Sequence, residues 1–143
     1  MKKNEIKLNV EQAAFILAQK FPQLARSKDY WPAHPVDGKT LEQTETAWVP
    51  IWLPEDVPRP TADDLLAWWP EFRDEYAYFE ASATVRTKRD ELLAQVDPLV
   101  ERAKDEGKAN LEAALRDYRG RLRAVPDQEG FPFEVMWPVL PEE

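Results

Sequence analysis

Paired carboxylates are the residues best suited to acid–base chemistry in this chain: Glu55-Asp56, Asp63-Asp64, Asp74-Glu75 and Asp105-Glu106. Two acids flanking a glycosidic bond can hydrolyse it, one protonating the leaving oxygen while the other acts as base or nucleophile. Most of these pairs, however, fall at a predicted helix start or on a charged helical face, where capping and solvation account for them. The single histidine, His34, lies between Pro32 and Pro35 with no serine or cysteine framework resembling a nucleophile elbow, and reads as a turn residue. Cysteine is absent, which removes thiolate nucleophiles, disulfides and Cys-ligated metals; one histidine is too few for a His-rich metal site. The glycines form neither a dinucleotide fingerprint nor a Walker loop. The expectation is a protein with no catalytic residues, no metal and no cofactor.

The chemistry that remains is contact. Six tryptophans in 143 residues are unusual, and Trp brings a large contact area at low entropic cost to interface hot spots. The competing reading is that a thin core uses large side chains to fill itself. A net charge of −8 opposes a phosphate backbone, so nucleic acid is not expected as a partner. Arg116, Arg119, Arg121 and Arg123 form a basic cluster, read as a solvated helix face among Glu112 and Asp117. No apolar run approaches the ~20 residues of a membrane span. Met1–Glu5 runs straight into polar sequence with no apolar signal core behind it, and the chain reads as cytosolic.

The elements that must position these residues follow from periodicity and caps. Asn9 with Gln12 three residues on is a capping pattern, and Val10, Ala13, Ala14, Leu17 and Phe21 recur at helical spacing, predicting a helix over 10–20 that Pro22 ends. Eight of the thirteen prolines lie between Pro22 and Pro70, too many for long helices. Within that stretch Asp29–Trp31 and Glu45–Leu53 read as strands, with Asp37-Gly38 as a turn between them. Simple alternation would place Trp48 and Trp52 on one face together with Pro50, whose presence argues for an edge strand or a bulge. Thr61–Asp64 is a second capping pattern; Leu65, Trp68, Trp69, Phe72, Tyr76 and Phe79 continue it as an amphipathic helix with a kink or short break expected at Pro70. Leu92, Leu93, Val96, Leu99, Val100 and Ala103 mark a further helical face, with a restart at Asp97-Pro98. Gly107 breaks it, and Leu111, Leu115, Tyr118, Leu122 and Val125 form the stripe of a helix packed on its predecessor. The prolines from Pro126 onward make the remainder an extended tail, expected to fold back on its own domain with Trp137 closing the hairpin.

These residues resemble known ones. Arg89-Asp90-Glu91-Leu92-Leu93, Tyr118-Arg119-Gly120-Arg121-Leu122-Arg123, Gly130-Phe131-Pro132 and Val135-Met136-Trp137-Pro138 resemble, in order and approximate spacing, the carboxy-terminal domain of phage tail-fibre assembly chaperones. The first half, through Lys20-Phe21-Pro22, Asp29-Tyr30, Thr46-Ala47-Trp48 and Pro60-Thr61-Ala62-Asp63-Asp64-Leu65, is similar to the XkdW-like phage tail proteins. The resemblance implies a chaperone that binds the distal end of a trimeric receptor-binding tail fibre in the host-cell cytoplasm and promotes its folding, trimerisation or solubility. The alternatives it leaves are a stoichiometric component or adhesin cap retained at the fibre tip and, further off, a small glycan hydrolase.

The fold class expected is α+β: an aromatic- and Pro-rich fibre-binding subdomain over 1–80, with helices and a short antiparallel β-hairpin, then a helical hairpin with an extended tail over 81–143. Trp48, Trp52, Trp68 and Trp69 are the candidate partner-binding residues.

Overall fold

The structure, a computed structural model, describes residues 6–142. The reading of Met1–Glu5 as lacking a signal core lies outside the described residues. The chain divides into two compact units, the boundary falling between Tyr76 and Ala77.

In the first unit, helix α1 (Val10–Lys20) begins where the capping pattern placed it. Gln12 donates its backbone N–H to Asn9 Oδ1 and accepts the Asn9 N–H on Oε1, both at 2.8 Å. His34 Nδ1 accepts the Val10 N–H at 2.8 Å, so the histidine satisfies a helix-end donor that has no intrahelical acceptor. Ala13, Ile16 and Leu17 are buried with Leu8, Tyr30, Ala47, Val49, Leu65, Trp69, Phe72 and Tyr76 in one core. Leu8 is tied to the hairpin as well: its N–H donates to Thr46 Oγ1 (3.0 Å), and its carbonyl accepts from Ala47 N–H (2.8 Å).

The hairpin consists of β1 (Tyr30–Ala33) and β2 (Trp48–Trp52), paired antiparallel as the only sheet among the described residues. The Asp37-Gly38 turn forms as expected, with the Asp37 carboxylate accepting the N–H groups of Lys39 and Thr40 at 2.8 and 2.9 Å. Those bonds hold the Asp37 carboxyl below its usual range.

Register corrects one expectation. Trp31 pairs with Ile51 and Ala33 with Trp48, so β2 carries one residue more than β1 between these pairs. That extra residue falls at Val49–Pro50, where a proline has no N–H to give to a ladder. The bulge shifts the alternation by one. Val49 is buried and Trp52 packs on the core, whereas Trp48 and Ile51 are exposed. Trp48 and Trp52 therefore do not share a face.

Helix α2 (Ala62–Asp105) starts at the expected capping pattern: Asp64 N–H donates to Thr61 Oγ1 at 3.1 Å, and Thr61 N–H donates to Asp64 Oδ2 at 2.9 Å. It then runs without interruption through Pro70 and Pro98, correcting the short break and the restart expected there. Both prolines are exposed, so water can take the carbonyl that each missing N–H leaves free. An interior proline costs about 3 kcal/mol. Burying one large apolar side chain returns about 1.5–3 kcal/mol. Pro70 is flanked by buried Leu65, Trp69, Phe72 and Tyr76, and Pro98 by buried Val96 and Val100, which offsets the cost.

In the second unit the later part of α2 packs against α3 (Ala109–Arg123) through Val96, Val100, Ala103, Leu115, Tyr118 and Leu122. The connection is a glycine-terminated helix end. Gly107 has φ +71°, its N–H donates to the Lys104 carbonyl (3.1 Å), and the Lys108 N–H reaches the Ala103 carbonyl (2.9 Å); these paired bonds satisfy carbonyls at the end of the helix. A single 3-10 turn (Val125–Asp127) follows; in the stretch expected to be an extended tail, turns occupy 129–133 before the chain continues without regular structure. Trp137 packs on the core with Lys88 Nζ 4.5 Å from its ring centre, and Tyr78 meets Phe131 and Phe133 edge-on.

Gly107 and Gly130 should respond differently to substitution. Nothing approaches an added Cβ at Gly107, so Gly107→Ala should cost only its left-handed backbone, about 1 kcal/mol. A Cβ at Gly130 would collide with the Glu134 backbone carbonyl, and Gly130→Ala should cost about 2 kcal/mol or more. Urea unfolding followed by circular dichroism measures both.

Candidate functional site

Three of the acids considered for chemistry make local structural contacts. Asp64 caps α2, Asp74 lies 3.6 Å from Arg73, and Glu106 lies 3.0 Å from Lys108. The basic cluster on α3 is largely paired: Arg116 with Glu112, Arg119 with Asp97 and Arg121 with Asp117. Among the described residues no group of three or more His, Cys, Asp or Glu side chains is arranged to hold a metal ion. Two side-chain bonds from Arg26, at 3.0 and 3.1 Å, hold the Glu11 carboxyl below its usual range, and burial raises the Tyr30 phenol.

The four candidate tryptophans separate into three environments. Trp69 is 8% exposed and stands edge-on to Tyr76, part of the core. Trp52 and Trp68 are half-buried and linked through Phe21, whose ring centre lies 5.4 Å from one and 6.1 Å from the other. Trp52 also stacks on Tyr30, and its Nε1–H donates to the Val57 carbonyl at 2.7 Å, holding the loop that follows β2. Lys20 Nζ lies over the Trp68 ring at 5.3 Å and pairs with Glu71 at 3.1 Å. Trp48 belongs to neither group. It is 39% exposed on the outer face of the hairpin.

Trp48 has neighbours on that face which alternation did not suggest. Ile51 is 47% exposed and pairs across the strands with half-buried Trp31; Leu53, just beyond β2, is exposed too. Large apolar side chains gathered on one small sheet face are the usual material of a protein contact. Pro50 was the available signal for them. A proline inside an otherwise regular strand marks a bulge, and a bulge transfers Ile51 to the side of Trp48.

The outer hairpin face thus presents apolar side chains to solvent, while Phe21 joins Trp52 and Trp68 against the core. The chain was compared with known proteins. Residues 82–142 match the family described as phage tail assembly chaperone protein, and residues 13–77 match the family described as XkdW protein. The second half of the chain is thus similar to the first of these families and the first half to the second, the layout that the motifs indicated. No curated protein and no solved structure matches the chain. No helix among the described residues is long and apolar enough to cross a membrane.

The division between core and surface tryptophans can be measured. Trp69→Ala should lower stability by about 3–5 kcal/mol, as removal of a buried aromatic does, whereas Trp48→Ala should change it by less than about 1 kcal/mol. Equilibrium unfolding of the two variants beside the parent chain reads the difference.

Proposed function

We propose that this protein is an assembly chaperone of a phage tail and that its partner is the trimeric receptor-binding tail fibre. It acts by contact rather than catalysis. The match of residues 82–142 to the tail assembly chaperone family carries the reading, and the outward-facing Trp48 and Ile51 supply a means. An intertwined β-rich trimer has many non-local contacts and unpaired strand edges before it assembles, so it folds slowly and is prone to aggregate. A small partner that covers apolar surface at the distal end of the fibre suppresses that side reaction while the trimer closes.

The docking surface in this proposal is the tryptophan-bearing face of the first unit: Trp48 with Trp31 and Ile51, extended by the exposed parts of Trp52 and Trp68. Trp69 contributes by holding α2 in the core. The chaperone works in the host-cell cytoplasm, where fibres are made, and is released before the particle is complete.

Coexpression with a tail-fibre protein of the same phage tests the proposal. The fibre should be soluble, trimeric and receptor-binding with this chain and largely insoluble without it. The double variant Trp48→Ala/Ile51→Ala should reduce co-purification at least tenfold while lowering the stability of the chain itself by no more than about 2 kcal/mol. A fibre that trimerises and binds receptor equally well alone would refute the chaperone role. Recovery of the chain in stoichiometric amounts from purified particles would show instead a permanent component of the fibre tip.

A further inference from the structure

Helix α2 from Ala77 to Gln95 holds no fully buried side chain, unlike the stretch that follows it. Its half-buried residues, Ala81, Ser82, Val85, Arg89, Leu92 and Leu93, still recur at helical spacing and form a stripe that runs on to buried Val96 and Val100. Helix α3 does not reach most of that stripe. It has 15 residues, about 22 Å of helix, and Arg119 meets Asp97 at 3.3 Å, which sets its end about level with Leu93. The earlier turns are covered instead by the segment 128–137. Phe131 and Phe133 stand edge-on to Tyr78, Arg86 lies 5.4 Å from the Phe131 ring centre, and Lys88 lies 4.5 Å from that of Trp137.

The hydrogen bonds that shape this segment run within it. Gln128 binds the Met136 backbone through both ends of its carboxamide, Nε2 donating to the carbonyl at 2.8 Å and Oε1 accepting the N–H at 2.9 Å, and the Glu134 N–H donates to the Gly130 carbonyl at 2.7 Å. Its hold on Tyr78, Arg86 and Lys88 is made of rings and cations at exposed positions, where each such contact is weak. Ser82 adds a bias against closure. It lies halfway between Tyr78 and Arg86, both along the helix and around it, and so falls beneath Phe131, which meets both. Its Oγ is buried without a hydrogen-bond partner. An unbonded hydroxyl penalises the covered arrangement, and water relieves it once the cover lifts.

We infer that the segment 128–137 is a strap that opens from α2 as one piece while the core between α2 and α3 stays folded. Its internal hydrogen bonds let it keep its shape when it lifts, and the contacts it gives up are the weak ones. Parts of a fold with few buried apolar contacts open at a lower free energy than the core does. Closed, the strap conceals the stripe around Ser82 together with the inner sides of Phe131 and Trp137. Open, it presents them. The strap thus sets how much apolar surface the second unit shows, a property separate from the hairpin face of the first.

Thiol labelling of the full chain with iodoacetamide tests the inference. The chain has no cysteine, so Ser82→Cys sets a single thiol, close in size to the serine hydroxymethyl, beneath Phe131. It should react at least about tenfold more slowly than in the urea-unfolded chain, yet at least about tenfold faster than Val100→Cys in the buried core between α2 and α3. Low concentrations of urea should leave the rate at position 82 unchanged and raise that of Val100→Cys, because only global unfolding exposes enough surface to respond. Phe131→Ala added to Ser82→Cys should raise its rate at least about fivefold without making it urea-dependent. Circular dichroism confirms that each variant is folded. A thiol at position 82 that reacts as in the unfolded chain, one indifferent to Phe131→Ala, or one whose rate rises with urea in step with Val100→Cys would overturn the inference.

Discussion

Between its two paired positions, β2 holds one residue more than β1, and that residue sits beside a proline with no N–H for the ladder. The shift this imposes brings Val49 and Trp52 to the inner side, where Trp52 reaches Tyr30 and Phe21 and closes the core over α1. The same shift brings Trp48 and Ile51 to the outer side. Without the bulge, alternation would set Ile51 beside Val49 and carry Trp52 outward with Trp48, removing the ring that stacks on Tyr30. One irregularity in a two-stranded sheet thus both completes the core of the first unit and leaves an apolar face open to solvent.

Each unit is small, which governs its choice of side chains. A short chain encloses little volume, and large rings fill it with few residues. The first unit does this with tyrosine, phenylalanine and tryptophan from every element it contains. The second relies on aliphatic stripes from α2 and α3, with Tyr118 and Trp137 as its large rings. Asn9, Gln12, Thr61 and Asp64, together with His34, take up the backbone groups at the helix starts of the first unit, so the single histidine and one of the paired acids already have structural partners.

Much of this architecture was legible where one residue type has one local use. The Asn9–Gln12 and Thr61–Asp64 pairs marked the starts of α1 and α2, and Gly107 marked the turn before α3, because helix caps and left-handed helix ends have narrow chemical solutions. The family motifs were legible as well, being contiguous. The continuity of α2 was not. Pro70 and Pro98 each carry a local penalty that signals a break, and only the burial of residues on both sides shows that the helix survives it. The phase of β2 was hidden for a related reason. Pro50 announced a bulge, but which side chains changed faces depended on the register with β1. Trp31 and Ile51 consequently emerged as surface residues only from the fold, and Trp69 as a core residue.

The proposed contact with a tail fibre lies on the outer hairpin face. Hydroxyl-radical footprinting of the chain, free and in complex with a tail-fibre protein of the same phage, addresses this most directly, because oxidation of each side chain is read separately by mass spectrometry. Trp31, Trp48 and Ile51 should lose most of their reactivity in the complex, while Phe133 and Met136 of the second unit keep theirs. Unchanged oxidation of Trp48 and Ile51 in a complex that demonstrably forms would contradict the account.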